Sequence, residues 1–150
     1  SILTVSNHNH KRVYFSFLGL HGTIEYMKVM IVEDNEEIAQ LYNMAFQAQQ
    51  CDTSVHKDGL DAITFLADNE ADLILLDLMM PEMDGFSFLE ALQNNTSSNS
   101  KVIIASNLSD DQSITRARQY NSVLDYFKKS DYKKKKIVEE ALTVYRKSQL

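Results

Sequence analysis

The chain has 150 residues, 44% of them hydrophobic, and a formal net charge of −6 at pH 7. This length suits one domain with a sizeable core, and the acidic balance argues against direct nucleic-acid binding. A single cysteine excludes an internal disulfide and a cysteine-based metal cluster, and no stretch approaches the roughly 20 apolar residues of a membrane span. We therefore expect a globular cytoplasmic protein without membrane insertion.

Residues Ser1–Tyr26 are predicted to be an N-terminal extension, and residues 27–150 the domain proper. After a polar start, the extension contains RVYFSFLGL, which favours a β-strand and is rich in aromatic residues. We interpret it as a cloning remnant or as translation from upstream of a natural start at Met27. The alternative is an interaction element, whose exposed aromatic residues would need a partner surface, such as a second copy of the chain.

Strand and helix patterns alternate five times after Met27. Lys28–Val32 predicts a first strand, and residues 53–55 predict a weak second strand at a sheet edge. Further strands are predicted at residues 73–76, 101–105 and 123–128, and each of the five strands precedes an amphipathic helix pattern. Such alternation is typical of a doubly wound α/β domain with a parallel sheet.

The stretch ADLILLDLMMPEMDG, residues 71–85, contains the most informative of these strands. Its four aliphatic residues are typical of a short strand buried on both faces, and the run stops at Asp77. Pro81 and the pair Asp84–Gly85 predict a turn before the next helix. Open α/β sheets bind ligands at the carboxyl ends of their strands, although an isolated aspartate there is more often a turn cap.

Polar residues follow four of the five predicted strands, and in a parallel sheet they converge on one edge. They are Glu33, Asp34, Asp77, Ser106 and Lys129. Three clustered carboxylates repel one another unless a cation lies between them, and Mg²⁺ suits a few oxygen ligands with open positions. A lysine and a hydroxyl at the same place would bind the oxygens of a phosphoryl group. This set therefore predicts phosphorylation of Asp77 as the nucleophile.

At these residues the chain resembles the receiver domains of bacterial two-component response regulators. The motifs are the acidic pair in VEDNEE, the strand LILLDLMMPEMDG, the strand ending in IIAS, and YFKKS, all in order between Met27 and about Leu150. The resemblance implies a flavodoxin-like (βα)5 three-layer sandwich with a five-stranded parallel sheet of order 2-1-3-4-5. It also implies that the protein is a phosphorylatable switch in a phosphorelay. Such a switch is not an enzyme, apart from phosphorylating and dephosphorylating itself.

The family's site residues carry over by position. The resemblance implies that Asp77 accepts a phosphoryl group from a histidine kinase or a histidine phosphotransfer protein. It implies that Mg²⁺ is held by Glu33, Asp34 and Asp77 together with the backbone carbonyl of Met79.

Three further residues match the part of the family pattern that responds to phosphorylation. Lys129 would pair with the phosphoryl group, Ser106 would hydrogen-bond to it, and Tyr126 would change rotamer when Ser106 moves. The changed surface would be that of the fourth helix, fifth strand and fifth helix. Its partner would be a downstream effector protein or a fused output domain, and a homodimer is also possible.

The sequence departs from the family pattern at two places beside the predicted site. Ser130 replaces the proline that usually follows the lysine behind a cis peptide bond, so the Lys129–Ser130 bond is either trans, with a rearranged loop, or strained. Lys128 is the neighbouring alternative, but it would point to the other side of the strand. Asn107 replaces a small residue, and its amide could slow entry of the phosphodonor or hold a water molecule.

An enzyme of the haloacid-dehalogenase type, a Mg²⁺-dependent phosphatase with an aspartate nucleophile, is the alternative function. Those enzymes carry a second aspartate two residues after the nucleophile as the acid and base. Met79 occupies that position here, which argues against turnover of external substrates.

Overall fold

Strands and helices alternate from Lys28 onward, as the sequence predicts. The computed structural model describes residues 2–7, 10–95 and 97–150. In chain order its elements are β1 (Ile2–Asn7), β2 (His10–Phe17), β3 (Leu20–Glu25), β4 (Lys28–Val32), α1 (Glu36–Ala48), β5 (Asp52–His56), α2 (Gly59–Leu66), β6 (Leu73–Leu76), α3 (Gly85–Asn94), β7 (Lys101–Ser106), α4 (Asp111–Arg118), β8 (Val123–Lys128), a short 3-10 helix (Lys129–Asp131) and α5 (Lys134–Ser148).

The last five strands form one parallel sheet in the order β5-β4-β6-β7-β8. Counted from β4, this is the predicted order 2-1-3-4-5, and the weak strand β5 lies at the edge as expected. The order places β6 in the middle, with β4 on one side and β7 on the other. The residues that follow these three strands are therefore neighbours at one edge of the sheet.

Alternate residues of the strands pack into two hydrophobic layers, one on each face of the sheet. On one face Ile31 and Leu75 contact residues of α1 and α5, including Phe46. On the other face Ile74 and Leu76 pack with residues of α2, α3 and α4. All four residues of β6 are buried, and burying such an aliphatic side chain contributes about 1.5–3 kcal/mol. The sheet between two helical layers confirms the three-layer sandwich.

The first four helices begin at a capping Asn or Asp whose side-chain oxygen accepts a hydrogen bond from a backbone N–H three residues on. The caps are Asn35, Asp58, Asp84 and Asp110, with donor–acceptor distances of 2.8–3.0 Å. Each such cap satisfies an N–H group that has no partner within its helix and contributes about 1 kcal/mol. The caps fix where each helix begins after the carboxyl end of the preceding strand.

Residues before Lys28 form a separate antiparallel sheet in the order β1-β2-β3. Residues 1, 8 and 9 of the predicted extension lie outside the described residues. The turn between β2 and β3 exposes Phe17, Leu18 and Leu20 to solvent. The origin of this extension and its boundary with the domain stay predictions.

The described helices include none that is both long and apolar enough to cross a lipid bilayer.

Gly85 allows the start of α3 to pack closely against the loop that follows β6. A Cβ atom at this position would lie 2.6 Å from the Cα of Leu78 and 2.8 Å from the carbonyl oxygen of Asp77. Both are backbone atoms, which cannot move aside without displacing the loop. Gly85 therefore serves close packing at the first residue of the helix, whereas the sequence had predicted a turn residue there.

We expect Gly85→Ala to destabilise the protein by about 1–3 kcal/mol, because the added methyl group overlaps backbone atoms. Urea denaturation monitored by circular dichroism measures the change. Ser87→Ala is the matched control, since Ser87 lies in the same helical turn and is exposed; its effect should stay within about 0.5 kcal/mol. Equal stability of Gly85→Ala and the native protein would contradict the close packing.

Candidate functional site

Three carboxylates meet at the carboxyl edge of the sheet. Glu33 and Asp34 follow β4, Asp77 follows β6, and one oxygen from each side chain lies within 4.8 Å of the others. Glu33 and Asp77 are only 3% and 6% exposed, while Asp34 is exposed. The Asp77 N–H donates to the carbonyl of Val32 at 3.0 Å, so the pairing of β4 with β6 continues up to the site. The structure thus brings together the three predicted carboxylates.

Lys129 supplies the positive charge of this acidic cluster. Its buried ammonium group donates hydrogen bonds to Asp77 Oδ2, at 2.9 Å, and to Glu33 Oε1. Lys128, the neighbouring alternative, has an exposed side chain. The structure therefore places Lys129 at the cluster, as predicted, and the contact of this lysine with a phosphoryl group stays a prediction.

The backbone after β8 continues through a trans peptide bond into a short helical turn. The Lys129–Ser130 bond is trans, and Lys129–Asp131 forms a turn of 3-10 helix. Tyr132 then adopts an extended conformation, and α5 begins at Lys134. Of the two possibilities left open by the sequence, the chain adopts the trans bond.

The acidic cluster has more negative than positive charge. Burial raises the pKa of Glu33 from its ordinary value of 4.5 to about 7, although Lys129 acts to lower it. Burial acts to lower the pKa of Lys129, but its hydrogen bonds to Glu33 and Asp77 together with the negative charges of these two residues outweigh burial and raise that pKa. Lys129 is therefore a cation at neutral pH. Among the residues that the structure describes, three carboxylates face one ammonium group, which leaves oxygen ligands and negative charge that suit a hard cation such as Mg²⁺.

The loop after β6 fixes the orientation of the Asp77 carboxylate. The Met79 N–H donates to Asp77 Oδ1 at 3.1 Å, so each carboxylate oxygen of Asp77 has its own donor. The Met79 side chain is 57% exposed and has no group that could orient an attacking water molecule. A role for the Met79 carbonyl as a metal ligand stays a prediction.

Ser106 and Tyr126 are linked through the backbone of Leu108. Ser106 is fully buried at the end of β7, and its hydroxyl oxygen accepts a hydrogen bond from the Leu108 N–H at 3.2 Å. Tyr126 is half-buried on β8, and its hydroxyl group donates to the Leu108 carbonyl oxygen. A displacement of the loop that contains Leu108 would therefore change the surroundings of both side chains.

Asn107 and Ser130, the two residues that depart from the family pattern, are hydrogen-bonded to each other. The Ser130 N–H donates to Asn107 Oδ1 at 3.1 Å. This contact was not predicted from the sequence. The available signal was their position, because each directly follows a predicted site residue, Ser106 or Lys129.

We expect Glu33→Gln to stabilise the metal-free protein at pH 8 by about 2–5 °C in Tm. The folded-state pKa of Glu33 is above its ordinary value, so the folded protein binds more protons than the unfolded chain between pH 4.5 and about 7. The stability that Glu33 contributes to the folded protein is therefore fully present below pH 4.5 and is lost as the pH rises through about 7. Glutamine removes that loss.

Thermal unfolding in chelator-containing buffer from pH 5 to pH 8 measures the difference, which should shrink toward pH 5. Glu90→Gln is the control, because Glu90 is exposed on α3 and should give no such pH-dependent difference. A lower Tm of Glu33→Gln at pH 8 would mean that the ion pair with Lys129 outweighs the burial of Glu33.

Similar proteins include bacterial proteins with known names and solved receiver domains. Protein PilG of Pseudomonas aeruginosa is 31% identical over 78 residues, which are 52% of this chain and 58% of PilG. The heme response regulator HssR of Staphylococcus haemolyticus is 35% identical over 69 residues, 46% of this chain and 31% of HssR. The aligned part thus spans less than two thirds of either relative.

Two solved structures share the fold over most of their length. The receiver domain of the Francisella response regulator 1452 superposes with a TM-score of 0.67 at 27% identity, covering 81% of this chain and 98% of that chain. A CheY-like receiver domain protein from Methanospirillum hungatei superposes with a TM-score of 0.73 at 14% identity, covering 83% and 97%. At that low identity the second likeness concerns the fold alone.

The family model of the response regulator receiver domain matches residues 29–141, which include every predicted site residue. Receiver domains are signalling modules that use Mg²⁺ and a cognate histidine kinase, and they are not classical enzymes. The match therefore excludes the phosphatase alternative and confirms the resemblance seen in the sequence. The chain belongs to the response regulator receiver domain family of two-component systems.

Proposed function

We propose that this protein is a phosphorylation switch that accepts a phosphoryl group on Asp77 from a histidine kinase or a histidine phosphotransfer protein. The supporting observation is the buried Lys129 ammonium, which lies 2.9 Å from Asp77 Oδ2 in a cluster with Glu33 and Asp34. An unreactive turn cap would need neither the buried lysine nor the two further carboxylates.

In the proposed reaction an Asp77 carboxylate oxygen attacks the phosphorus atom of the donor. The bond between phosphorus and the donor's imidazole nitrogen breaks as the acyl phosphate forms, and the released imidazole takes up a proton. The Met79 N–H holds one oxygen of Asp77 by its 3.1 Å hydrogen bond, which restricts rotation of the carboxylate. Lys129 is within reach of the phosphoryl oxygens and would neutralise part of their charge.

Glu33, Asp34 and Asp77 would hold the Mg²⁺ ion, together with the Met79 carbonyl. When bound, the ion neutralises charge on the carboxylates and on the transferred phosphoryl group. The fit is supported by the excess of carboxylates over ammonium groups in the cluster and by the exposure of Asp34, which leaves the cluster accessible from solvent.

We propose that Ser106 transmits the phosphorylated state to the surface formed by α4, β8 and α5. Its buried hydroxyl could donate a hydrogen bond to a phosphoryl oxygen, and the Leu108 N–H is bonded to the same hydroxyl. A movement of Ser106 would therefore displace Leu108 and the Tyr126 hydroxyl that is bonded to its carbonyl. An effector protein or an output domain that binds one loop arrangement better would shift the equilibrium between the two.

We expect one added phosphoryl group when the protein is incubated with Mg²⁺ and acetyl phosphate. Asp77→Asn should gain none, because an amide oxygen is a much weaker nucleophile than a carboxylate oxygen. Intact mass spectrometry measures the adduct. Asp72→Asn is the matched control, because Asp72 precedes the same strand at its other end, and this variant should be phosphorylated. Absence of an adduct on the native protein would contradict the proposed function.

We expect Lys129→Ala to slow phosphorylation by about tenfold or more, since it removes the ammonium group next to the transferred phosphoryl group. Lys128→Ala should leave the rate within about twofold, because the Lys128 side chain is exposed and outside the cluster. The rates come from a time course of adduct formation with acetyl phosphate and Mg²⁺. Equal losses in the two variants would contradict the assignment of Lys129.

A further inference from the structure

The hydrogen bond between Asn107 and Ser130 joins the two loops that carry the phosphate-binding side chains of the proposed switch. Asn107 directly follows Ser106, and Ser130 directly follows Lys129. Besides the strand pairing of β7 with β8, the 3.1 Å bond from the Ser130 N–H to Asn107 Oδ1 connects the ends of these strands.

The bond also satisfies a donor that the turn itself leaves open. Ser130 is the second residue of the 3-10 helix, and the first N–H groups of a helix have no partner within it. The residue before this helix, Lys128, provides no side-chain cap. Asn107 supplies the missing acceptor from the neighbouring loop. It therefore acts on this turn as a capping side chain does, although it comes from another part of the chain.

We infer that Asn107 is a positioning residue that fixes the Lys129 turn through the Ser130 N–H and thereby holds Lys129 toward Asp77. This inference rests on the proposed function of Lys129 in phosphoryl transfer. A proline at position 130 would have no N–H group and would disfavour a helical conformation at Lys129. Serine allows the 3-10 turn, and Asn107 supplies the acceptor that this turn requires.

The hydrogen bond between Asn107 and Ser130 is weak enough to be broken when the loops move. Asn107 and Ser130 are both exposed, so water competes for the donor and the acceptor. The bond then changes the equilibrium between two loop arrangements by about two- to tenfold instead of determining the fold. Movement of the loop after Ser106 would break this contact, so Ser106 and Lys129 respond to phosphorylation together.

A steric role for Asn107 predicts a different result. If its amide only obstructs the phosphodonor, Asn107→Ala should speed phosphorylation, and the acceleration should persist in a Lys129→Ala background. Positioning through Lys129 predicts that Asn107→Ala slows phosphorylation by about two- to tenfold. In the Lys129→Ala background it should have no further effect, because the side chain through which it acts is missing.

The test combines this double-mutant cycle with amide hydrogen exchange of Ser130, measured by NMR on the whole chain. Asn107→Ala should speed exchange of the Ser130 amide by about two- to tenfold, whereas Asn107→Asp keeps an acceptor oxygen and should preserve protection. Asn121→Ala is the control, because Asn121 is exposed beyond the opposite end of β8; it should change neither readout.

Faster phosphorylation of Asn107→Ala, an equal slowing in both backgrounds, or unchanged Ser130 exchange would overturn the inference. The exchange measurement needs no phosphodonor, so it tests the Asn107–Ser130 link separately from the proposed function. If the native protein gains no phosphoryl group, the proposed function fails. If phosphorylation proceeds but Ser130 exchange does not respond to Asn107→Ala, only the positioning role fails.

Discussion

The contact of the Lys129 ammonium with Glu33 and Asp77 is the interaction on which the rest of the site depends. All three side chains are at least nine-tenths buried, and a buried charge without a partner costs several kcal/mol. Asp77 and Lys129 follow strands that are separated by β7. The lysine therefore has to extend across the end of β7, where Ser106 is fully buried. A long side chain with a compact charge is suited to this path.

The sheet makes this arrangement possible but also concentrates negative charge. The pairing of β4 with β6 places Glu33 next to Asp77, and a single lysine leaves the carboxylates incompletely neutralised. Burial is the main cause of the raised pKa of Glu33, and the negative charge of the neighbouring Asp77 adds to it. A protein selected for stability alone would carry fewer carboxylates here, whereas a metal site needs them unprotonated and close together. The two hydrophobic layers between the sheet and the helices supply stability that offsets the cost of this excess charge.

Much of the fold and the location of the site could be predicted from the sequence because both depend on patterns that are local in the chain. Strand β8 was predicted with its observed bounds, Val123–Lys128, since its apolar and aromatic run contrasts with polar flanks. In a parallel sheet the residues that follow the strands are neighbours, so Asp77 and Lys129 could be assigned to the same site from the sequence.

Features that depend on backbone conformation and on contacts between loops could not be predicted in this way. Glu82 adopts a positive φ of 63°, although glutamate does not favour this backbone conformation. The nearby pair Asp84–Gly85 has the residue types that would predict it. Gly85 instead meets a packing constraint from Leu78, which lies in a separate part of the loop. The extension Ser1–Tyr26 was predicted to contain one segment that favours a strand, whereas its described residues form three strands. Such contacts arise only when distant or irregular segments are brought together.

Asn107 and Ser130 show why departures from a family pattern should be considered together. Considered alone, Ser130 left open either a trans bond with a rearranged loop or a strained bond, and Asn107 suggested slower entry of the phosphodonor or a bound water molecule. In the structure the serine provides an N–H group that a proline would lack, and the asparagine provides its acceptor. A change in one loop is thus matched by a change in the other. When two unusual residues each adjoin a site residue at the same sheet edge, their mutual contact is the first explanation to test.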